Sequence, residues 1–170
     1  MASQPLPVIR DYAAFLSEWA ALARLPRGEG APTVISTFAG AGGSSTGYRM
    51  AGWNVLLATD YWGVSCETYR ANWPDGHVLQ ADITRMDGRD LLAECGVAVG
   101  DLDVLDGSPP CQGFSLAGHR VLDDPRNSLF LDFCRVLRGV MPRAFVMENV
   151  AGLLVGKMRL LFREMTGELA

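Results

Sequence analysis

The chain has 170 residues, 49% hydrophobic and 20% charged, which is enough to bury one core of single-domain size. No run reaches the roughly 18 to 20 apolar residues of a membrane span, and the N-terminus lacks a basic region followed by an apolar one, so the expectation is a soluble, cytoplasmic protein that engages no membrane. The net charge of −4 is uneven, with 7 basic and 13 acidic side chains in residues 1–110 but 8 and 6 in residues 111–170, so the second part is the one suited to a polyanion.

In chain order, residues 8–25 put Ile9, Tyr12, Phe15, Leu16, Trp19 and Leu22 on one helical face, and the PRGEGAP segment after them breaks the pattern. An apolar helical stripe usually faces a core, so this predicts an outer packing helix followed by a linker, with a unit boundary between residues 1–32 and 33–170. Strand-like runs then alternate with helical ones. The strands are expected at 33–38, 54–60, 77–82, 103–107 and 144–149, and the helices at 44–52, 64–73, 89–95 and 127–140. In the last helix Leu129, Phe130, Phe133, Val136, Leu137 and Val140 recur at helical spacing, and Pro142 stops it. Five strands separated by helices predict an α/β fold with a doubly wound, mainly parallel sheet, whose ligand lies outside the carboxyl ends of the strands.

The segment TFAGAGGSSTGY follows the first strand and opens a helix, the place where nucleotide-like groups are cradled. It starts as GxGxxG at Gly40 and Gly42, but Ser45 stands where the last glycine belongs. Asp60 ends the second strand twenty residues after Gly40, as an acid that binds a ribose diol does, and Tyr61 beside it suits an adenine face. Asp82 ends the third strand as a further acceptor, suited to an exocyclic amine. As a set these residues point to an adenosine-bearing ligand, a dinucleotide or S-adenosylmethionine.

The segment DGSPPCQGFS mounts Cys111 behind two prolines, which hold Ser108 to Cys111 extended and rigid. Glu148 ends the fifth strand, so a thiol and a carboxyl from adjacent strands project into one crevice as a nucleophile and a proton donor. The other cysteines, Cys66, Cys95 and Cys134, fall inside helical patterns and are expected to be inert. None of the four forms a CxxC or a Cys/His pair, so neither a metal site nor a disulfide framework is signalled.

On these residues the sequence resembles the C5-cytosine DNA methyltransferases. The matching segments are FAGAGGSSTGYRMAG, ATDYWGVSCETYRANWP, ADI, DVLDGSPPCQGFS and DDPRNSLFLDFCRVLRGVMPRAFVMENV, from about Thr33 to Leu154. The resemblance implies a Rossmann-like, S-adenosylmethionine-dependent methyltransferase fold acting on double-stranded DNA. It implies that Phe38, Gly40, Gly42 and Gly43 shape the S-adenosylmethionine pocket, with Asp60 on the ribose, Tyr61 on the adenine, and Asp82 and Ile83 recognising the adenine ring. Pro110 and Leu129 line the same cleft. Cys111 is the implied nucleophile, mounted by Pro110, and Glu148 holds the cytosine ring, with a carboxyl raised by burial. Asp60 stands where many relatives have glutamate.

The sequence departs from that pattern after GKMRLLFREMTGELA. The later strands, the arginine segment that supports a flipped base, the target-recognition domain and the C-terminal Gly-Asn segment are not in it. The expectation is a partial catalytic domain over 33–170, incomplete at its C-terminus, whose DNA contacts come from a missing C-terminal region or a partner chain. Two alternatives stand beside it: a non-catalytic S-adenosylmethionine-binding subunit, which needs neither Cys111 nor Glu148, and a tRNA cytosine-5 methyltransferase, whose Cys-Phe-Thr is replaced here by Asp-Phe-Cys at 132–134.

Overall fold

Short β-branched and leucine-rich runs that are buried on both faces form parallel strands, because helices cover the sheet from either side. The computed structural model describes residues 11–110 and 129–150, with Arg163 and Gly167 as isolated further positions. The elements are α1 (Tyr12–Ala23), β1 (Thr33–Thr37), α2 (Gly43–Met50), β2 (Asn54–Asp60), α3 (Gly63–Asn72), β3 (Val78–Gln80), α4 (Gly88–Cys95), β4 (Val104–Gly107), α5 (Leu129–Val140) and β5 (Ala144–Met147), with a short 3-10 turn at Ile83–Arg85. The sheet order is β3-β2-β1-β4-β5, and every pairing is parallel. Order reverses between β1 and β4, so the carboxyl ends of those two strands diverge and leave a crevice. The predicted doubly wound sheet is therefore present, with β3 shorter than expected.

Among the described residues, the two larger of the apolar clusters cover the two faces of the sheet. Ile35, Leu57 and Leu105 from the sheet pack with Leu91 and Leu92 of α4 and Phe133, Val136 and Val140 of α5 on one face. On the other face Ala58 and Val78 meet Cys66, Tyr69 and Trp73. At the amino end, Asp103 Oδ2 accepts from the Thr33 amide at 2.8 Å and its hydroxyl at 3.0 Å, while Oδ1 takes Arg143 at 3.0 Å. One carboxylate thus staples the starts of β1 and β4 to the residue before β5, and those hydrogen bonds hold its pKa below the ordinary value.

The first helix departs from expectation. It forms over Tyr12–Ala23, capped by Asp11 accepting from the Ala14 amide at 3.0 Å, but Tyr12, Leu16, Trp19 and Leu22 are exposed and only Ala23 is buried. Among the described residues α1 packs on α2, and Ala23 at its end joins Tyr69 and Trp73, contacts that leave most of the stripe uncovered. Ile9 lies outside the described residues. Among the described residues no helix is long and apolar enough to cross a membrane, and no group of three or more His, Cys, Asp or Glu is placed to hold a metal ion.

Candidate functional site

The crevice at the strand ends is a cleft of about 630 Å3. It brings together Phe38 after β1, Asp60 and Tyr61 after β2, Asp82 and Ile83 after β3, Pro110 beyond β4 and Leu129 at the start of α5. Seven of the ten residues predicted for the cofactor pocket therefore share one cavity, although they range in sequence from Phe38 to Leu129. Its volume suits a drug-sized ligand. Phe38, on the wall of the cleft, sits at φ 53°, a left-handed conformation unusual for an aromatic residue and a point of backbone strain.

The three glycines act from behind the cleft rather than on its wall. The Gly40 amide, at φ 55°, donates to Asp60 Oδ2 at 2.8 Å, and the Trp62 amide donates to Oδ1 at 2.8 Å. The carboxylate of Asp60 is thereby clamped between the glycine loop and the start of α3, with lone pairs on both oxygens left over for a diol. At φ 94°, Gly42 is pressed against the Tyr69 ring, where a Cβ would lie 2.9 Å from Cδ2. Gly43 has neither constraint, since a Cβ there meets nothing within 4 Å. Asp82 caps the 3-10 turn through Oδ1, which accepts from the Thr84 amide at 3.0 Å and its hydroxyl at 2.8 Å, and these bonds lower its pKa. Its Oδ2 lies 3.9 Å from Arg85 Nε, so the two oxygens are differently engaged.

Cys111 lies outside the described residues, so the position of its sulfur relative to Glu148 is left to the proposal below. Glu148 follows β5, its amide donating to the Gly107 carbonyl at 3.1 Å, and is exposed rather than buried as expected. Among the described residues β5 is an edge strand, so no further strand covers the far side of its end. The next residue supplies a link the sequence reading passed over: the Asn149 side-chain amide donates to the Pro109 carbonyl at 3.4 Å. That bond ties the end of β5 to the proline turn.

Sequence reasoning also missed Trp62 and Ser65, which line the cleft from the start of α3. A helix whose first residues follow an acid at a strand end was the available signal. It missed Asp106 too, a carboxyl buried in β4 whose Oδ2 accepts from Ser36 Oγ at 2.9 Å, with Ser44 and Tyr48 as further hydroxyl partners. Burial raises the Asp106 pKa, and Tyr48 is pushed up to about 12 by burial and by the charge of Asp106. The network joins β1, β4 and the first turns of α2 directly behind the glycine loop. Burial likewise raises the thiols of Cys66 and Cys95, the latter to about 11, which agrees with inert roles for both, and Cys134 is buried.

Comparison with known proteins places this geometry. The Type II methyltransferase M.DdeI of Desulfomicrobium norvegicum is 49% identical over 123 residues, covering 71% of this chain and 28% of the relative. The Type II methyltransferase M1.HphI of Haemophilus parahaemolyticus is 48% identical over 124 residues, covering 71% and 33%. Among solved structures, a protein described as a DNA modification methyltransferase encoded within an E. coli prophage superposes with a TM-score of 0.69 at 29% identity, covering 82% of this chain and 38% of that one. The chain spans about a third of the length of these relatives. The family model for C-5 cytosine-specific DNA methylase matches residues 32–170, which takes in the glycine loop, both acids, the proline-cysteine segment and the Glu-Asn-Val at the end of β5, and so the chain belongs to that family.

Proposed function

We propose that this chain carries the cofactor cleft and the nucleophile of a DNA (cytosine-5-)-methyltransferase of the restriction-modification kind, with residues 1–32 as an appended helix and linker and 33–170 as the catalytic part. The observation that supports it best is that Pro110, the residue before Cys111, lines the same cleft as Asp60 and Asp82. A cofactor bound by the acids therefore lies beside the mounting of the thiol.

The donor set fits S-adenosylmethionine. Two carboxylates flank the cleft, aromatic faces are offered by Phe38, Tyr61 and Trp62, and Ile83 and Leu129 close it with apolar surface. Asp60 takes the ribose hydroxyls and Asp82 the adenine amine, while Gly43 allows close approach of the backbone. When bound, the cofactor supplies the methyl group. Cys111, as thiolate, adds to C6 of a cytosine flipped out of the duplex, and Glu148, protonated, donates to N3 as the electron pair moves into the ring. Carbon 5 thereby becomes enamine-like and nucleophilic. Loss of the C5 proton to solvent after transfer re-forms the C5–C6 double bond as the C6–S bond breaks, which releases the thiolate, and the N3 proton returns to the Glu148 carboxylate. Asn149 and the prolines hold the sulfur's strand end, where a displacement of about 1 Å costs on the order of a hundredfold in rate.

Covalent trapping tests this reading. The chain, alone and with the remainder of a full-length relative supplied in trans, is incubated with S-adenosylmethionine and duplex DNA carrying 5-fluorocytosine. An adduct that survives denaturation and is absent from Cys111→Ser is expected in at least the supplemented reaction. Absence of an adduct in both, with calorimetry detecting S-adenosylmethionine binding, would leave the non-catalytic cofactor-binding subunit in its place.

A further inference from the structure

The wall of the cleft that carries Asp82 and Ile83 belongs to no long element. Among the described residues β3 is an edge strand that ends at Gln80 after three residues, and the 3-10 turn at Ile83–Arg85 follows it. The turn's own closing bond is long, the Met86 amide donating to the Ile83 carbonyl at 3.3 Å. A side chain distant in sequence holds the turn more tightly. Arg135 of α5 donates from Nη2 to the Ile83 carbonyl at 2.6 Å and from Nη1 to the Met86 carbonyl, so one guanidinium spans the turn. Asp132, one turn earlier on the helix, accepts from Nη2 at 3.1 Å and fixes the orientation of the fork.

Charge-assisted donors bond more strongly than neutral amides, and two of them on carbonyls three residues apart restrain the turn as a unit. The fold has other anchors there. Ile83 belongs to the apolar cluster that joins the sheet to α4 and α5, and Met86 packs against it. The Arg135 side chain is 42% exposed, so water can satisfy both carbonyls in its absence. What the guanidinium adds is direction. Asp82 Oδ1 is engaged by the Thr84 amide and hydroxyl, which leaves Oδ2 to meet a ligand, and Arg85, 3.9 Å from Oδ2 and itself 87% exposed, is a weak guide. With the cleft read as an S-adenosylmethionine site, on which this role rests, we propose that Arg135 is a positioning residue for cofactor recognition: it holds the 3-10 turn so that Asp82 meets the exocyclic amine of the adenine. Leu129 lines the cleft from the first turn of the same helix, so α5 would set both this contact and the wall beside it.

Titration calorimetry of the intact chain tests it with two ligands, S-adenosylhomocysteine and its analogue with hydrogen in place of the adenine amine. The native chain is expected to bind the first on the order of tenfold more tightly or better, the worth of one hydrogen bond to a charged acceptor. In Arg135→Ala that preference is expected to fall to within about twofold while affinity for the analogue holds, because only the amine contact depends on the aim of Asp82. Arg135→Lys keeps the charge but reaches one carbonyl, and is expected to retain part of the preference. In an Asp82→Ala background, where the preference is already gone, Arg135→Ala is expected to change neither affinity further. Circular dichroism checks that each variant is folded. Should Arg135→Ala not fold, Arg135→Lys carries the test through a preference reduced by about threefold or more. Both ligands weakened equally, as a merely structural role would give, or a native preference that the Arg135 variants keep, overturns the role of Arg135 alone. A native chain that binds neither ligand, or does not distinguish them, overturns the reading of the cleft and this role with it.

Discussion

Single residues around the glycine loop separate folding from binding. Gly42 combines a φ of 94° with a Cβ position 2.9 Å from the Tyr69 ring, so Gly42→Ala is expected to cost about 2–3 kcal/mol in urea unfolding through backbone strain and overpacking. Gly43 heads α2 with open space around it, so Gly43→Ala leaves stability within about 0.5 kcal/mol while weakening S-adenosylmethionine binding, as titration calorimetry would detect. Equal stability losses in the two variants would contradict that division. Asp106 gives a pH-dependent prediction. Its folded pKa is raised by burial, so the folded state holds its proton more tightly than the unfolded one, and the chain loses stability as pH rises from the ordinary value of 3.8 through the raised one. An asparagine at this position would keep hydrogen bonds to hydroxyl partners without titrating. Asp106→Asn is therefore expected to gain stability relative to the native chain between pH 4 and pH 8, measured by denaturant midpoint at each pH; an unchanged difference would sink the assignment.

Elements pack here through close backbone approaches as much as through side chains. Helices α4 and α5 cross where Gly88 meets Gly139, the Gly88 Cα lying 3.1 Å from the position a Cβ on Gly139 would take, and a Cβ on Gly88 would run into the Val136 carbonyl and the Val140 amide of α5. Backbone cannot swing aside as a side chain does, so Gly88→Ala is expected to cost about 2–3 kcal/mol and to lower the thermal midpoint without changing cofactor affinity at temperatures where the chain stays folded. The sequence patterns announced α5 well, because Phe133, Val136 and Val140 are periodic and the same residues are buried. They announced α1 equally clearly yet misjudged its burial. A stripe records that a surface is apolar, and what covers it depends on neighbours that periodicity does not describe.

At the scale of the whole molecule, a cleft built from the ends of four strands and the starts of two helices couples ligand binding to global stability. Saturation with S-adenosylmethionine at about a hundred times its dissociation constant is expected to add about 2.7 kcal/mol, a rise of roughly 5–10 °C in the thermal midpoint, readable by calorimetry and absent in Asp60→Ala. An unchanged midpoint in the native chain would count against the cleft as a cofactor site. Much of that cleft was legible before folding: glycine and proline constrain backbone directly, and acids at strand ends follow from the topology of a parallel sheet, so Asp60, Asp82 and Pro110 could be named from local spacing and the family resemblance it carries. Other features were set only when distant segments met. The hold of the Gly40 amide on Asp60, the Asn149 bond to Pro109 and the buried Asp106 network each join residues with no signal in their own neighbourhood. The exposure of Glu148 is of the same kind, since burial is a property of what surrounds a residue. The sequence by itself thus determined the parallel, doubly wound class of the sheet and which strand ends carry Asp60 and Asp82, because these rest on backbone rules and chain-order topology. Tertiary structure alone decided which polar groups share a hydrogen bond and which apolar stripe stays bare, because those depend on distances between segments that the chain brings together only on folding.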